Sequence, residues 1–230
     1  MPTFGGIVVA TGSESAGRIT LLEVIDELAR TVNAADTTIR SLAGDAVRAA
    51  IRTMNRKGLW PWEYQEEDVN LTSGAQFSTV TSAIKKPLSM HLMDEAAGTE
   101  NRRLDYIPYD VFREKYTLDV TSEPQFYTIP NLYETGQVRW YPVPGAAYSA
   151  RFAFYRVTPA PRNESEVIEV PDYAFEAYKS RAWYEFCKRL PMNKRPMALD
   201  FAAAESRLAF REISAHVNAP GDRRRYLDTY

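Results

Sequence analysis

The 230 residues hold a single cysteine, Cys187, so an intrachain disulfide is impossible and cysteine pairing says nothing about compartment. Histidine is almost as scarce. His91 and His216 stand in unrelated segments with no metal-ligand spacing around them, which predicts structural roles for both. The net charge of −2 excludes a global basic field that would draw the chain onto nucleic acid or an acidic membrane. No apolar run approaches the roughly 20 residues of a membrane span. The first ten residues lack the basic start and long apolar stretch of a secretory signal. Neither a GxGxxG nor a GxxxxGKS/T loop occurs, so no nucleotide phosphate is cradled that way. Neither cofactor nor metal is expected. Aromatics are plentiful, with 14 Tyr, 10 Phe and 4 Trp, residues favoured by interfaces and by β-rich cores alike.

The chain is organised around Gly58–Tyr64, where a helical pattern stops and a strand-rich one begins. Upstream, Ile39, Leu42, Ala46, Ala50 and Met54 recur at three- and four-residue steps, the spacing of one helix face. Lys57 places positive charge in the last turn, and Gly58 suits a left-handed cap. Pro61 cannot continue a helix and biases Trp60 toward an extended backbone. An earlier helix starts at a capping box, Thr20 with Glu23, and Ile19 and Val24 have staple spacing. Leu21, Ile25, Leu28 and Val32 then form its stripe. Asp36 is the expected N-cap of the second helix, and the short link 33–35 predicts an antiparallel hairpin.

From Trp62 to Val170 the helical period disappears. Leu88, Met90 and Leu92 alternate with Ser89 and His91, and Val138 and Trp140 alternate with Arg139 and Tyr141. The run Arg151–Val157 is dense enough in aromatics for a strand packed on both faces. Phe126–Ile129 is a further strand, joined to Gln137–Tyr141 by a hairpin loop, and Pro142–Gly145 is a turn. Tyr109–Tyr116 reads as one helical insertion. Helical periodicity returns with Asp172 as a cap, then Phe175, Tyr178, Ala182 and Phe186 on one side. A last helix from about Pro196 to Val217 is expected to bury Met197, Phe201, Ala204, Leu208 and Ala215.

This pattern predicts an α+β protein. A core of about four helices, two N-terminal and two C-terminal, occupies 19–60 and 171–218, with an antiparallel β domain inserted over 61–170. Residues 1–18 are an arm with Phe4 and Ile7–Val9 as its apolar anchors, either disordered or added to a neighbour as a strand. Residues 219–230 form a tail in which Arg223, Arg224, Arg225, Tyr226, Leu227 and Tyr230 combine charge with aromatic anchors. Docking, disorder and nucleic-acid contact all fit that mixture.

Catalytic signals are weak. Cys187 falls on an aromatic helix face with no locatable base, which predicts an inert thiol. Glu66, Glu67 and Asp68 invite a hydrolase reading, but neighbours on a strand point to opposite faces and cannot form one acid pair. Trp60, Pro61 and Trp62 are expected at a helix–sheet junction.

The order of these features resembles the head-to-tail connector (adaptor) proteins of tailed bacteriophages, of the kind called tail accessory factor or tail tubular protein A. The matching pieces are Met54–Trp62, the strands around Ser122–Ile129 and Gln137–Pro144, the aromatic strand Tyr148–Val157, Ile168–Pro171 and the helix Tyr173–Leu190. The segment Lys85–Tyr116 departs from a bare connector core. The resemblance implies a structural virion protein, assembled in the host bacterial cytoplasm, with no catalytic residue. It implies a ring, usually of twelve copies, that binds the portal protein, extends the channel for viral DNA and offers its far side to a downstream tail protein. Tails of such proteins commonly dock into the portal, which selects Arg223–Arg225, Tyr226, Leu227 and Tyr230. Acidic positions such as Glu205 and Glu212 are then candidates for the channel wall. The alternatives are a soluble protein-binding module without a virion role and, behind it, a peptidoglycan hydrolase.

Overall fold

The computed structural model describes residues 19–32, 36–94, 99–116, 120–195 and 199–217. The expected arm 1–18, the link 33–35 and the tail 219–230 lie outside the described residues.

In chain order the helices are α1 (Leu21–Arg30), α2 (Thr37–Lys57), α3 (Tyr109–Lys115), α4 (Asp172–Arg189) and α5 (Leu199–Val217). The strands are β1 (Tyr64–Leu71), β2 (Phe77–Thr79), β3 (Ile84–Asp94), β4 (Thr99–Tyr106), β5 (Thr121–Ser122), β6 (Phe126–Thr128), β7 (Gln137–Tyr141), β8 (Val143–Pro144) and β9 (Tyr148–Arg156). The chain divides into two compact units. One joins residues 1–57 to 159–230 and the other is Gly58–Thr158.

In the first unit, α1 begins at the capping box, with Thr20 Oγ1 accepting from Glu23 N and Glu23 Oε2 accepting from Thr20 N at 2.7 Å. Such a cap is worth about 1 kcal/mol. Leu21, Val24, Ile25 and Leu28 are buried, each contributing about 1.5–3 kcal/mol by removal from water. The start of α1 is tied to a later segment: Leu21 N donates to Glu166 O at 3.0 Å, and Thr20 bridges Val167. Asp36 caps α2, its Oδ1 accepting from Thr38 N at 2.8 Å. The buried face of α2 leans one position from the expected stripe. Ala43, Val47 and Ile51 join Ile39, Ala46, Ala50 and Met54, while Leu42 is half-buried. Helix α4 packs against both α2 and α5, and α1 packs on α2.

Three local expectations are corrected. Gly58 does not take a left-handed conformation. Its carbonyl accepts a hydrogen bond from the buried Lys85 ammonium, and the chain leaves α2 extended toward Pro61. Asp172 is not a cap. Pro171, with φ −67° and ψ 154°, makes the turn one residue earlier, and Asp172 instead adds negative charge to the first turn of α4. On α5 the expected core stripe faces outward: Phe201 and Leu208 are each 57% exposed, and Ala204 and Ala215 are exposed too. The core takes Ala202, Ser206, Phe210 and Ile213. Small residues at 202 and 206 let α5 approach α4 closely, which a 3.6-residue period cannot reveal when a helix carries two apolar stripes. Met197 lies outside the described residues.

The second unit is a seven-stranded sheet in the order β1-β9-β3-β4-β6-β7-β2. Its two ends nearly meet. Ser78 Oγ on β2 donates to Asn70 O on β1 at 2.8 Å, and the Glu67 carboxylate accepts from Thr81 N at 3.0 Å. Most pairs are antiparallel, but β4–β6 and the separate pair β5–β8 are parallel, which corrects the wholly antiparallel expectation. The helix α3 lies between β4 and β6, and such a crossover is what lets a chain return in the same direction. Inside, Phe152, Phe154, Trp140, Tyr127 and Met90 are at most 1% exposed. Phe152, Ala153 and Phe154 are buried in succession, as expected for a strand covered on both faces.

Candidate functional site

The corner Trp60-Pro61-Trp62 opens the second unit. Trp60 has the extended backbone that a following proline imposes, φ −100° and ψ 141°, and Pro61 starts a short 3₁₀ turn to Glu63. Trp60 is buried and Trp62 half-buried, with their rings stacked at 5.1 Å and 7°. Beneath them lies a charge pair that the sequence concealed. Lys85 Nζ meets Glu63 Oε2 at 2.6 Å, with both side chains no more than 2% exposed. Glu63 also accepts from Trp60 N at 3.2 Å and from Thr158 Oγ1 at 3.2 Å. Gly58 and Thr158 are the first and last residues of this unit, so one buried carboxylate–ammonium pair ties both of its ends together. Burial pushes the Glu63 carboxyl up, against the lowering pull of the Lys85 ammonium.

The residues weighed for chemistry are otherwise engaged. His91 Nδ1 lies 2.7 Å from Glu100 Oε2. Tyr64 donates to Glu66, Glu67 is taken by Thr81, and Arg151 Nε holds Asp68 at 3.0 Å. Cys187 is buried, and burial pushes its thiol up, away from the thiolate that a nucleophile needs. Among the described residues no group of His, Cys, Asp and Glu could hold a metal ion.

The surfaces are more informative than the clefts. On α4, Glu185 is buried among three cations: Arg181 at 2.7 Å, Arg189 at 3.1 Å and Lys188 at 3.5 Å. Burial pushes its carboxyl up, but the Arg189 hydrogen bond and the three positive charges outweigh that and hold it below its usual range. Nearby, Lys57 Nζ lies 4.1 Å over the Phe210 ring, its pKa lowered by burial and by Arg181 and Arg207. On the second unit, Phe77, Tyr106 and Tyr133 are exposed, and Arg139 lies 5.3 Å over the Phe77 ring.

Of the expected site residues, Glu205 and Glu212 are exposed on α5. Arg223, Arg224, Arg225, Tyr226, Leu227 and Tyr230 lie outside the described residues. Sequence reasoning missed Glu63 and Lys85, and it missed that α5 turns an apolar stripe outward. Among the described residues no helix is long and apolar enough to cross a membrane.

Residues 19–227 match the model of a family described as SU10 adaptor protein. No curated protein matches the chain.

Proposed function

The chain belongs to the SU10 adaptor protein family, a phage head-tail adaptor family, and from that premise we propose that it forms a ring joining the portal to the tail. The observation that carries this reading is the length of the match, which takes in both compact units and reaches into the C-terminal tail. An adaptor is a structural component of the virion, with the portal on one side and tail proteins on the other. In the proposed arrangement a ring, of twelve copies in the resembling proteins, continues the DNA channel below the portal. The tail 219–230 docks into the portal through Arg223–Arg225 and its aromatic anchors, the residue types that dominate interface energies. The inserted β unit, with Phe77 and Tyr106 on its surface, faces the downstream tail protein. No step of this role calls for a catalytic residue.

The test is to mix the protein with the portal ring of the same phage and image the product by electron microscopy. An added ring of density beneath the portal is the expected result. Folded protein that leaves the portal bare would sink the reading.

A further inference from the structure

Helix α5 has two apolar faces, and its own unit uses one. At about 100° per residue, Ala202, Ser206, Phe210 and Ile213 cluster on the buried side, and Phe201, Ala204, Leu208 and Ala215 fall roughly opposite them. Phe201 and Leu208 are each 57% exposed, a costly way to display large side chains unless something covers them. The stripe is flanked by charge of opposite sign. Glu205 and Glu212 run along one side and Arg207 and Arg211 along the other, all exposed. Among the described residues none of these four is held in an ion pair. Asp200, in the first turn, falls on the arginine side, so the pairing would use the turns beyond it.

We infer that the outward stripe of α5 is a contact between copies of this chain, in which the Glu205/Glu212 side of one copy meets the Arg207/Arg211 side of the next. The inference rests on the ring reading and names the surface that closes the ring. The charge pattern chooses the geometry. Helices running in the same direction set the acidic side of one against the basic side of the other. An antiparallel, two-fold contact would set acid on acid and base on base, which is repulsive. With neighbours side by side, each copy gives its acidic flank to one neighbour and its basic flank to the other, so the contact repeats around a ring, whereas stripe set squarely on stripe would spend both flanks on one partner. The assignment also moves Glu205 and Glu212 from the channel wall, where the sequence suggested them, to the seam between subunits.

The test uses full-length protein co-expressed with its portal, with complexes counted by electron microscopy and weighed by mass photometry. Glu205→Arg/Glu212→Arg and Arg207→Glu/Arg211→Glu are each expected to reduce complete rings at least tenfold, and the fourfold exchange to restore them. Phe201→Glu/Leu208→Glu should abolish rings with no exchange able to rescue them. These positions are exposed, so far-UV circular dichroism should match wild type throughout. Rings that survive both charge reversals, with altered DNA retention, would place the carboxylates in the channel and overturn the contact while leaving the ring intact. Wild-type protein that sits on the portal as separate subunits, or not at all, would overturn both.

Discussion

The Glu63–Lys85 pair is the residue on which the stability of the β unit turns. Replacing Lys85 by Met strands a buried carboxylate, expected to cost about 3–5 kcal/mol in denaturant unfolding at neutral pH. Adding Glu63→Gln should recover much of that loss, because no charge is then left buried. The pH dependence follows from the sign of the shift. Burial raises the Glu63 pKa above 4.5, so the folded state holds this proton more tightly than the unfolded state does. Stability from such a group is fully present below the unfolded pKa and is lost as pH rises through the folded value. Without Lys85 the upward shift grows, and the deficit of Lys85→Met should shrink between about pH 8 and about pH 5. A deficit unchanged across that range would show that the carboxylate is not what the lysine compensates. Nothing in the sequence marked this pair. The two residues are 22 positions apart, and no local spacing or periodicity links them.

At the scale of elements, legibility followed how local the determining contacts are. The start of α1 was readable because Thr20 and Glu23 are three residues apart and cap each other. The alternation of β7 was readable because Val138 and Trp140 share one face of a short strand. Which stripe of α5 is buried was not, because that depends on how closely α4 approaches. Nor was the parallel return of β6 to β4, which follows from α3 lying between them. Two glycines of the β unit, Gly136 and Gly58, test the same distinction. A Cβ at Gly136 would lie 2.5 Å from Val80 O and 2.7 Å from Ser82 O, both fixed backbone atoms beside the β6–β7 hairpin. Gly136→Ala is expected to cost about 1–3 kcal/mol in thermal unfolding. At Gly58 the nearest atom stands 3.8 Å away, on the Trp60 ring, and the backbone is ordinary. Gly58→Ala should therefore fall within about 0.5 kcal/mol of wild type, whereas a large loss would restore the left-handed cap that the sequence suggested.

For the whole molecule, the prediction concerns the tail. Deleting residues 222–230 is expected to abolish capture by an immobilised portal ring and to leave the melting temperature unchanged. Full capture by the truncated chain would remove the docking role of Arg223–Arg225, Tyr226, Leu227 and Tyr230. The division of the chain has a further consequence, in time. The helical unit is made of two stretches, 1–57 and 159–230, with the whole of the β unit between them in sequence. As the ribosome works, α1 and α2 emerge first, yet the main-chain partner of Leu21 is Glu166, and α4, which also packs on α2, begins at Asp172. At about 5–20 residues per second, the buried faces of α1 and α2 wait on the order of ten seconds for their partners. The β unit, continuous in sequence, can close during that wait. The nascent chain therefore completes its middle part first, and its earliest helices are the ones a chaperone would meet open.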